Sequence, residues 1–114
     1  MPYIHMRCTE SLTAAQMEAI KDEFGKAISL LPGKSEAHLM VDIADGAHLW
    51  LAGKNDEPLA MVEVEILGKS TPDAYQKLTA RLTEILGERA GIAPSGVFVK
   101  YAEKTYWGHN GANF

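Results

Sequence analysis

Apolar residues recur along this chain at two different periods, and the order in which those periods alternate predicts the order of elements. From Met17, the apolar positions Ile20, Phe24, Ala27, Ile28 and Leu31 fall at three- and four-residue steps, the single stripe of an amphipathic helix. Thr13 with Gln16 predicts a capping box at the start of that helix, and Pro32-Gly33 predicts its stop. A second stripe runs through Tyr75, Leu78, Leu82, Ile85 and Leu86. Thr71-Pro72-Asp73 supplies this helix with a cap, a proline in the first turn and an acid at the positive end of the helix dipole. Gly87 is awkward inside a helix, and Gly91 is the expected stop.

Between the helices the period drops to two. Strands are predicted at Tyr3–Cys8, His38–Ile43, Leu59–Leu67 and Val97–Tyr101, with short extra strands near His48–Leu51 and at Thr105–Trp107. The order is strand, helix, strand, and then the same again. Thr13 and Thr71 stand 58 positions apart, as do Val41 and Val99. The chain therefore reads as one domain over residues 1–114, built from two β-α-β halves of about 1–57 and 58–114, each with a right-handed crossover between parallel strands. The expected class is α+β in two layers, a four-stranded sheet with two helices on one face.

Alternation also separates the two faces of that sheet. Val62, Val64 and Ile66 share one side of their strand, and Glu63 and Glu65 share the other. His5 and Arg7 alternate with Ile4 and Met6, His38 and Asp42 with Leu39, Val41 and Ile43, and Lys100 lies between Val99 and Tyr101. One face is apolar and can be covered by helices; the other carries charges of both signs. Such a face meets water in many α+β sheets, or lines a polar channel where several sheets close into a ring, and alternation alone allows both.

Composition narrows the function classes. The 114 residues are 46% hydrophobic and 23% charged, the proportions of an ordinary globular protein. A net charge of −4 with no Lys/Arg cluster leaves a nucleic-acid role without an electrostatic footprint. No apolar run approaches membrane-spanning length, and no basic segment followed by an apolar run opens the chain. The single cysteine, Cys8, excludes an internal disulfide and is expected to pack as a small hydrophobe; the expected compartment is cytoplasmic.

Candidate chemistry is sparse. Pro2, directly behind Met1, has two readings. A strand's first residue can be proline because it owes no ladder hydrogen bond; alternatively, a small second residue permits removal of the methionine, leaving a free secondary amine. The stretch "ILGKST" at Ile66–Thr71 ends like a phosphate-binding loop, but Glu63 stands where that loop needs a glycine, which excludes a nucleoside triphosphate site. A strand end leading through Gly68 to a helix N-terminus still offers free N–H groups to a small anion such as a carboxylate. Lys34 lies in the loop after Pro32-Gly33. His5, His38, His48 and His109 show no metal-ligand spacing, and no metal is expected.

Taken together, Pro2 behind Met1, the Gly33-Lys34 loop, Leu67-Gly68-Lys69 after the third strand and the tail "WGHNGANF" resemble the macrophage migration inhibitory factor branch of the tautomerase superfamily. Trp107, Gly108, Asn110, Gly111 and Phe114 match a tail of the form W-G-W-N-G-x-T-F. The resemblance spans essentially the whole chain. It implies a homotrimer whose sheets wrap a central channel, with an active site at each subunit interface acting on a 2-keto or enol acid. It implies Pro2 as the general base and Lys34 with the Leu67 N–H as the grip on the substrate carboxylate. Tyr3, His38, Phe98, Lys100, Trp107 and Phe114 become pocket wall or lip, some of them donated by the neighbouring subunit. No cofactor is implied.

The chemistry agrees with that assignment. A base acting near pH 7 must be neutral, whereas an α-amino group titrates at roughly 7.7–8.0; an apolar pocket and a nearby lysine both lower that value. Three features depart from the pattern: His109 replaces a pocket-wall tryptophan, Phe98 and Lys100 replace a tyrosine and an asparagine, and Pro58-Leu59-Ala60-Met61 replaces the C-x-x-C of some animal members, which removes thiol-reductase chemistry. Two other readings keep the fold. One is a hydratase, dehalogenase or decarboxylase using arginines near the proline, for which Arg7, Arg81 and Arg89 are the candidates. The other is a non-catalytic, cytokine-like binding protein, a role compatible with export without a signal peptide.

Overall fold

Both helices begin where side chains can satisfy free backbone N–H groups. The computed structural model describes residues 1–114. Helix α1 spans Ala14–Ala27. The Gln16 N–H donates to Thr13 Oγ1 at 3.1 Å, and the Thr13 N–H donates to Gln16 Oε1 at 2.8 Å, the reciprocal box expected from the sequence. Helix α2 spans Pro72–Ala90, with Thr71 Oγ1 accepting from the Ala74 N–H at 3.2 Å and Gly91 closing it in a left-handed conformation. Gly87 stays inside α2. The end of α1 is less abrupt than Pro32-Gly33 predicts: a 3-10 turn over Ile28–Leu30 extends it, which lets Ile28 and Leu31 stay on the buried stripe.

Four strands, β1 (Pro2–Cys8), β2 (Met40–Ala44), β3 (Ala60–Leu67) and β4 (Val97–Lys104), make one mixed sheet in the order β2-β1-β3-β4. Within each half the strands are parallel, β1 with β2 and β3 with β4, and the halves join through the antiparallel pair of β1 and β3. The two helices pack on one face in an α+β arrangement.

Several boundaries differ from expectation. The second strand starts at Met40, because His38 closes a 3-10 turn over Glu36–His38. The third begins at Ala60 rather than Leu59, and the fourth runs on to Lys104, since β3 offers a ladder partner at every position as far as Leu67. No strand forms at His48–Leu51; an isolated bridge joins Leu51 to Lys54. The expected strand at Thr105–Trp107 is replaced by a hairpin of β5 (Gly108–His109) and β6 (Ala112–Asn113). Asn110 and Gly111 form its tip, both at positive φ, as a two-residue hairpin turn requires.

The helix-covered face is wholly apolar. Ile4, Met6 and Cys8 of β1 and Val62, Val64 and Ile66 of β3 are buried against Ile20, Phe24, Leu78, Leu82 and Ile85, and no charged or polar side chain is buried. The opposite face carries the charges. A row of Asp42, His5, Glu63 and Lys100 crosses all four strands in register. His5 Nε2 lies 3.9 Å from Asp42 Oδ2, Lys100 Nζ lies 3.7 Å from Glu63 Oε1, and the Tyr3 hydroxyl donates to Asp42 Oδ2 at 2.8 Å.

Candidate active site

At the end of the sheet where β1 begins, the open face deepens into a cleft of about 510 Å³. Its formation follows from strand pairing. Met1 extends the β1–β3 ladder by one step, its carbonyl oxygen accepting from the Leu67 N–H at 3.0 Å. Backbone groups alternate sides along a strand, so the nitrogen of the next residue, Pro2, is directed away from β3 and toward the β2 side. There the ladder starts only at Tyr3, opposite Met40. Pro2 therefore owes no hydrogen bond, and as the first residue of β1 a proline is tolerated even though β1 is an inner strand.

Lys34 reaches the same place from the other half of the fold. Leu31, Pro32 and Gly33 form a turn closed by the Lys34 N–H on the Leu31 carbonyl at 3.0 Å, and Gly33 takes the φ of +81° that reverses the chain. The Lys34 side chain then runs back, half-buried, to donate from Nζ to the Leu67 carbonyl at 2.7 Å. Thus both backbone groups of Leu67 are engaged at one spot, the N–H by Met1 and the carbonyl by Lys34. The terminal ammonium of Met1 titrates below its ordinary value, first because it is partly buried and then because the Lys34 charge is close.

Tyr3, His38 and Trp107 line this cleft together with Met1. The closing hairpin supplies the rim. The Phe114 N–H donates to the Trp107 carbonyl at 3.0 Å, and the Phe114 ring lies parallel to that of His109, centroids 6.4 Å apart. His109 lines the cleft, whereas Phe114, expected as a pocket residue, is exposed beside it and does not.

The family model described as macrophage migration inhibitory factor (MIF) matches residues 1–114. The chain belongs to the MIF family. Its fold is similar to the crystal structure of Leishmania major MIF2, with a TM-score of 0.92 and 25% identity over 100% of this chain and 97% of that one. It is also similar to Pt0534 inactivated by 2-oxo-3-pentynoate, with a TM-score of 0.79 and 25% identity over 90% of this chain and 85% of the other. The Toxoplasma gondii macrophage migration inhibitory factor gives a TM-score of 0.86 at 20% identity, covering 98% of this chain and 99% of that one. No curated protein matches the chain by sequence comparison.

Within this MIF-family chain, two expected site residues lie away from the cleft. Phe98 is opposite Met61 and lines a separate apolar cleft of about 180 Å³ with Leu49, Trp50 and Leu51. From Met61 to Leu67 along β3 is roughly 20 Å at the rise of a strand. Lys100 belongs to the charged row with Glu63. The arginines that a hydratase or decarboxylase would need are elsewhere as well. Arg81 and Arg89 both pair with Glu23 between the helices, at 3.2 and 2.7 Å, and Arg7 is exposed opposite Met61.

Met40, Glu65, Lys104 and Tyr106 also line the cleft without any motif that marks them, and two of these, Glu65 and Lys104, are charged. The signal for Glu65 was present: it shares its face with Leu67, two positions on. Lys104 was hidden because the fourth strand was expected to end at Tyr101. Cys8 is buried, and burial pushes its thiol up to about 11, so it stays an unreactive core group. No helix is long and apolar enough to cross a membrane.

Proposed function

We propose that this chain, after removal of Met1, is a cofactor-independent keto–enol tautomerase acting on phenylpyruvate-like 2-keto acids, with Pro2 as the base. The observation that carries the reading is the position of the Met1 carbonyl oxygen, 3.0 Å from the Leu67 N–H and beside Lys34, whose Nζ is 2.7 Å from the Leu67 carbonyl. Removal of Met1 converts the Pro2 nitrogen from an amide into a secondary amine and leaves the Leu67 N–H open to an anionic oxygen. A substrate carboxylate takes that N–H and the Lys34 ammonium, which also stabilise charge as the enolate develops. Burial and the Lys34 charge lower the Met1 ammonium, and the same two causes favour the neutral form of an amine at Pro2. In the enol-to-keto direction Pro2 accepts the enol hydroxyl proton and delivers a proton to C3, so the nitrogen ends as it began. Phe98 and Lys100 complete the pocket from a neighbouring subunit of a homotrimer.

Purified protein with an N-terminal proline is expected to ketonise phenylenolpyruvate, and Pro2→Gly is expected to lose about a hundredfold or more of that rate. Full activity in Pro2→Gly would remove Pro2 from the mechanism. The similarity to a protein inactivated by 2-oxo-3-pentynoate suggests a second assay. Conjugate addition of the Pro2 nitrogen to the alkyne of this 2-oxo acid, with the amine proton passing to the adjacent carbon, would label the N-terminal peptide in a one-to-one ratio. Label found only elsewhere would count against a nucleophilic proline. Normal partner binding with no turnover of any keto acid would favour the cytokine-like reading.

A further inference from the structure

Glu65 stands out because it is a half-buried carboxylate in the cleft with no partner in its own protomer. The other acids of the sheet are engaged: Glu63 by Lys100, Asp42 by Tyr3 and His5, and Glu103 by the Tyr75 hydroxyl at 2.7 Å and the Ser70 N–H at 3.1 Å. Tyr3, directly opposite Glu65 in the ladder, points its hydroxyl at Asp42 instead. Lys104, a second unpaired charge in the same cleft, lies opposite Leu67, and its carbonyl accepts from the Gly68 N–H at 2.9 Å. Glu65 and Lys104 do not pair with each other. The cleft is therefore dipolar. Lys34 and Lys104 bracket Leu67 from two different elements, and Glu65 lies one pleat away on the same face.

One pleat is about 7 Å along a strand, close to the span from the carboxylate of a phenylpyruvate to the para position of its ring. We infer that Glu65 selects 2-keto acids bearing a cationic group at the end remote from the carboxylate, while Lys104 joins Lys34 at the carboxylate end. The inference rests on the tautomerase reading for the reaction and adds the substrate class. The physical reason is the asymmetry of hydrogen bonding. A partly desolvated carboxylate left without a donor loses solvation, and a ligand ammonium restores it with a charge-assisted bond. A neutral substrate of the same shape leaves that loss in place, so discrimination arises from the unpaired state of the site.

The test compares 4-(aminomethyl)phenylpyruvate with its neutral isostere 4-ethylphenylpyruvate, using chain that starts at Pro2. The ratio of kcat/KM values is the readout, so a general loss of activity or stability cancels. We expect the aminomethyl compound to be preferred by about tenfold or more, as for one hydrogen bond to a charged group. Glu65→Gln should abolish the preference and Glu65→Asp should retain part of it. Lys104→Ala should raise KM for both compounds and leave their ratio unchanged. A ratio indifferent to Glu65→Gln while both compounds turn over would overturn the role of Glu65 and leave the tautomerase reading intact. If neither compound turns over, that reading fails, and calorimetric binding of 3-[4-(aminomethyl)phenyl]propanoate and 3-(4-ethylphenyl)propanoate decides the inference. A preference for the aminomethyl acid that Glu65→Gln removes would keep it; equal affinities would end it.

Discussion

The two faces of the sheet are made by the same strands, residue by alternate residue, yet they obey different rules. On the helix-covered face, Ile4, Met6, Val62, Val64 and Ile66 are buried with Phe24 and Leu82, and each contact can be replaced by others of similar kind. Stability there comes from area removed from water and from the absence of voids. On the open side the groups are few, polar and specifically placed: Tyr3 and His5 both meet Asp42, and Lys34 reaches the Leu67 carbonyl. One face is thus tolerant in chemistry and intolerant in volume. The other is tolerant in volume and intolerant in chemistry. The proposed function draws on the second, where Glu65 and Lys104 keep bonding capacity that no group of the same chain uses.

Truncation breaks this comparison most directly. Phe24→Ala should destabilise the fold by about 3–5 kcal/mol through lost transfer energy and a cavity, whereas Arg7→Ala on the exposed side should stay within about 0.5 kcal/mol. Urea unfolding of both variants measures the pair, and equal costs would contradict the division between faces. On the open face the large effect should appear in kinetics instead. Lys34→Ala is expected to lower kcat/KM for phenylenolpyruvate by about 10²–10³, as for the loss of one donor to a developing oxyanion, with a urea midpoint close to that of the unaltered protein.

Smaller effects sharpen the division at its edges. Thr71→Ala removes the side-chain oxygen that accepts from the Ala74 N–H and should cost about 1 kcal/mol in urea unfolding without altering turnover. Tyr3 reports on the open side and Tyr75 on the helix layer. Tyr3 is pushed up to about 12, chiefly by its hydrogen bond to Asp42, and Tyr75 to about 12 by burial and then by Glu103. A folded value above the unfolded one means that the stabilisation is fully present below pH of roughly 10. It is then lost as pH rises through about 12. Burial raises Tyr101 as well, so ultraviolet titration should show three late tyrosinate steps, and Asp42→Asn should bring forward the Tyr3 step alone. A Tyr3 step unmoved in that variant would mean that Asp42 does not hold the hydroxyl.

What could be read from the sequence follows the same division. Burial imposes periodicity, so the helix stripes through Phe24 and Leu82 and the alternation of Val62, Glu63, Val64 and Glu65 announce both layers and the faces of each strand. Capping is local chemistry, and Thr13 with Gln16 and Thr71 with Pro72 could be seen without tertiary information. The beginning of β2 could not, because the apolar alternation runs on through Leu39 while the backbone at Glu36–His38 closes a 3-10 turn. Periodicity assigns Glu65 to the charged face but is silent on which charges converge. That depends on register across strands, which brings Lys104 to Leu67 and Tyr3 to Glu65. The separation of Phe98 from the cleft is likewise a property of strand length rather than of any motif.

The central claim is that the Pro2 nitrogen, freed of Met1, is the base. Preparing the chain in two forms, one retaining Met1 and one beginning at Pro2, with each verified by intact mass, tests this in a single comparison. Both should fold alike, since Met1 adds one ladder step at the strand end. The form beginning at Pro2 should ketonise phenylenolpyruvate, with a kcat/KM that falls as acid protonates the amine. The Met1 form should be inactive, because its Pro2 nitrogen is an amide and its Leu67 N–H is occupied. Equal turnover by the two forms would contradict the account and place the base elsewhere in the cleft.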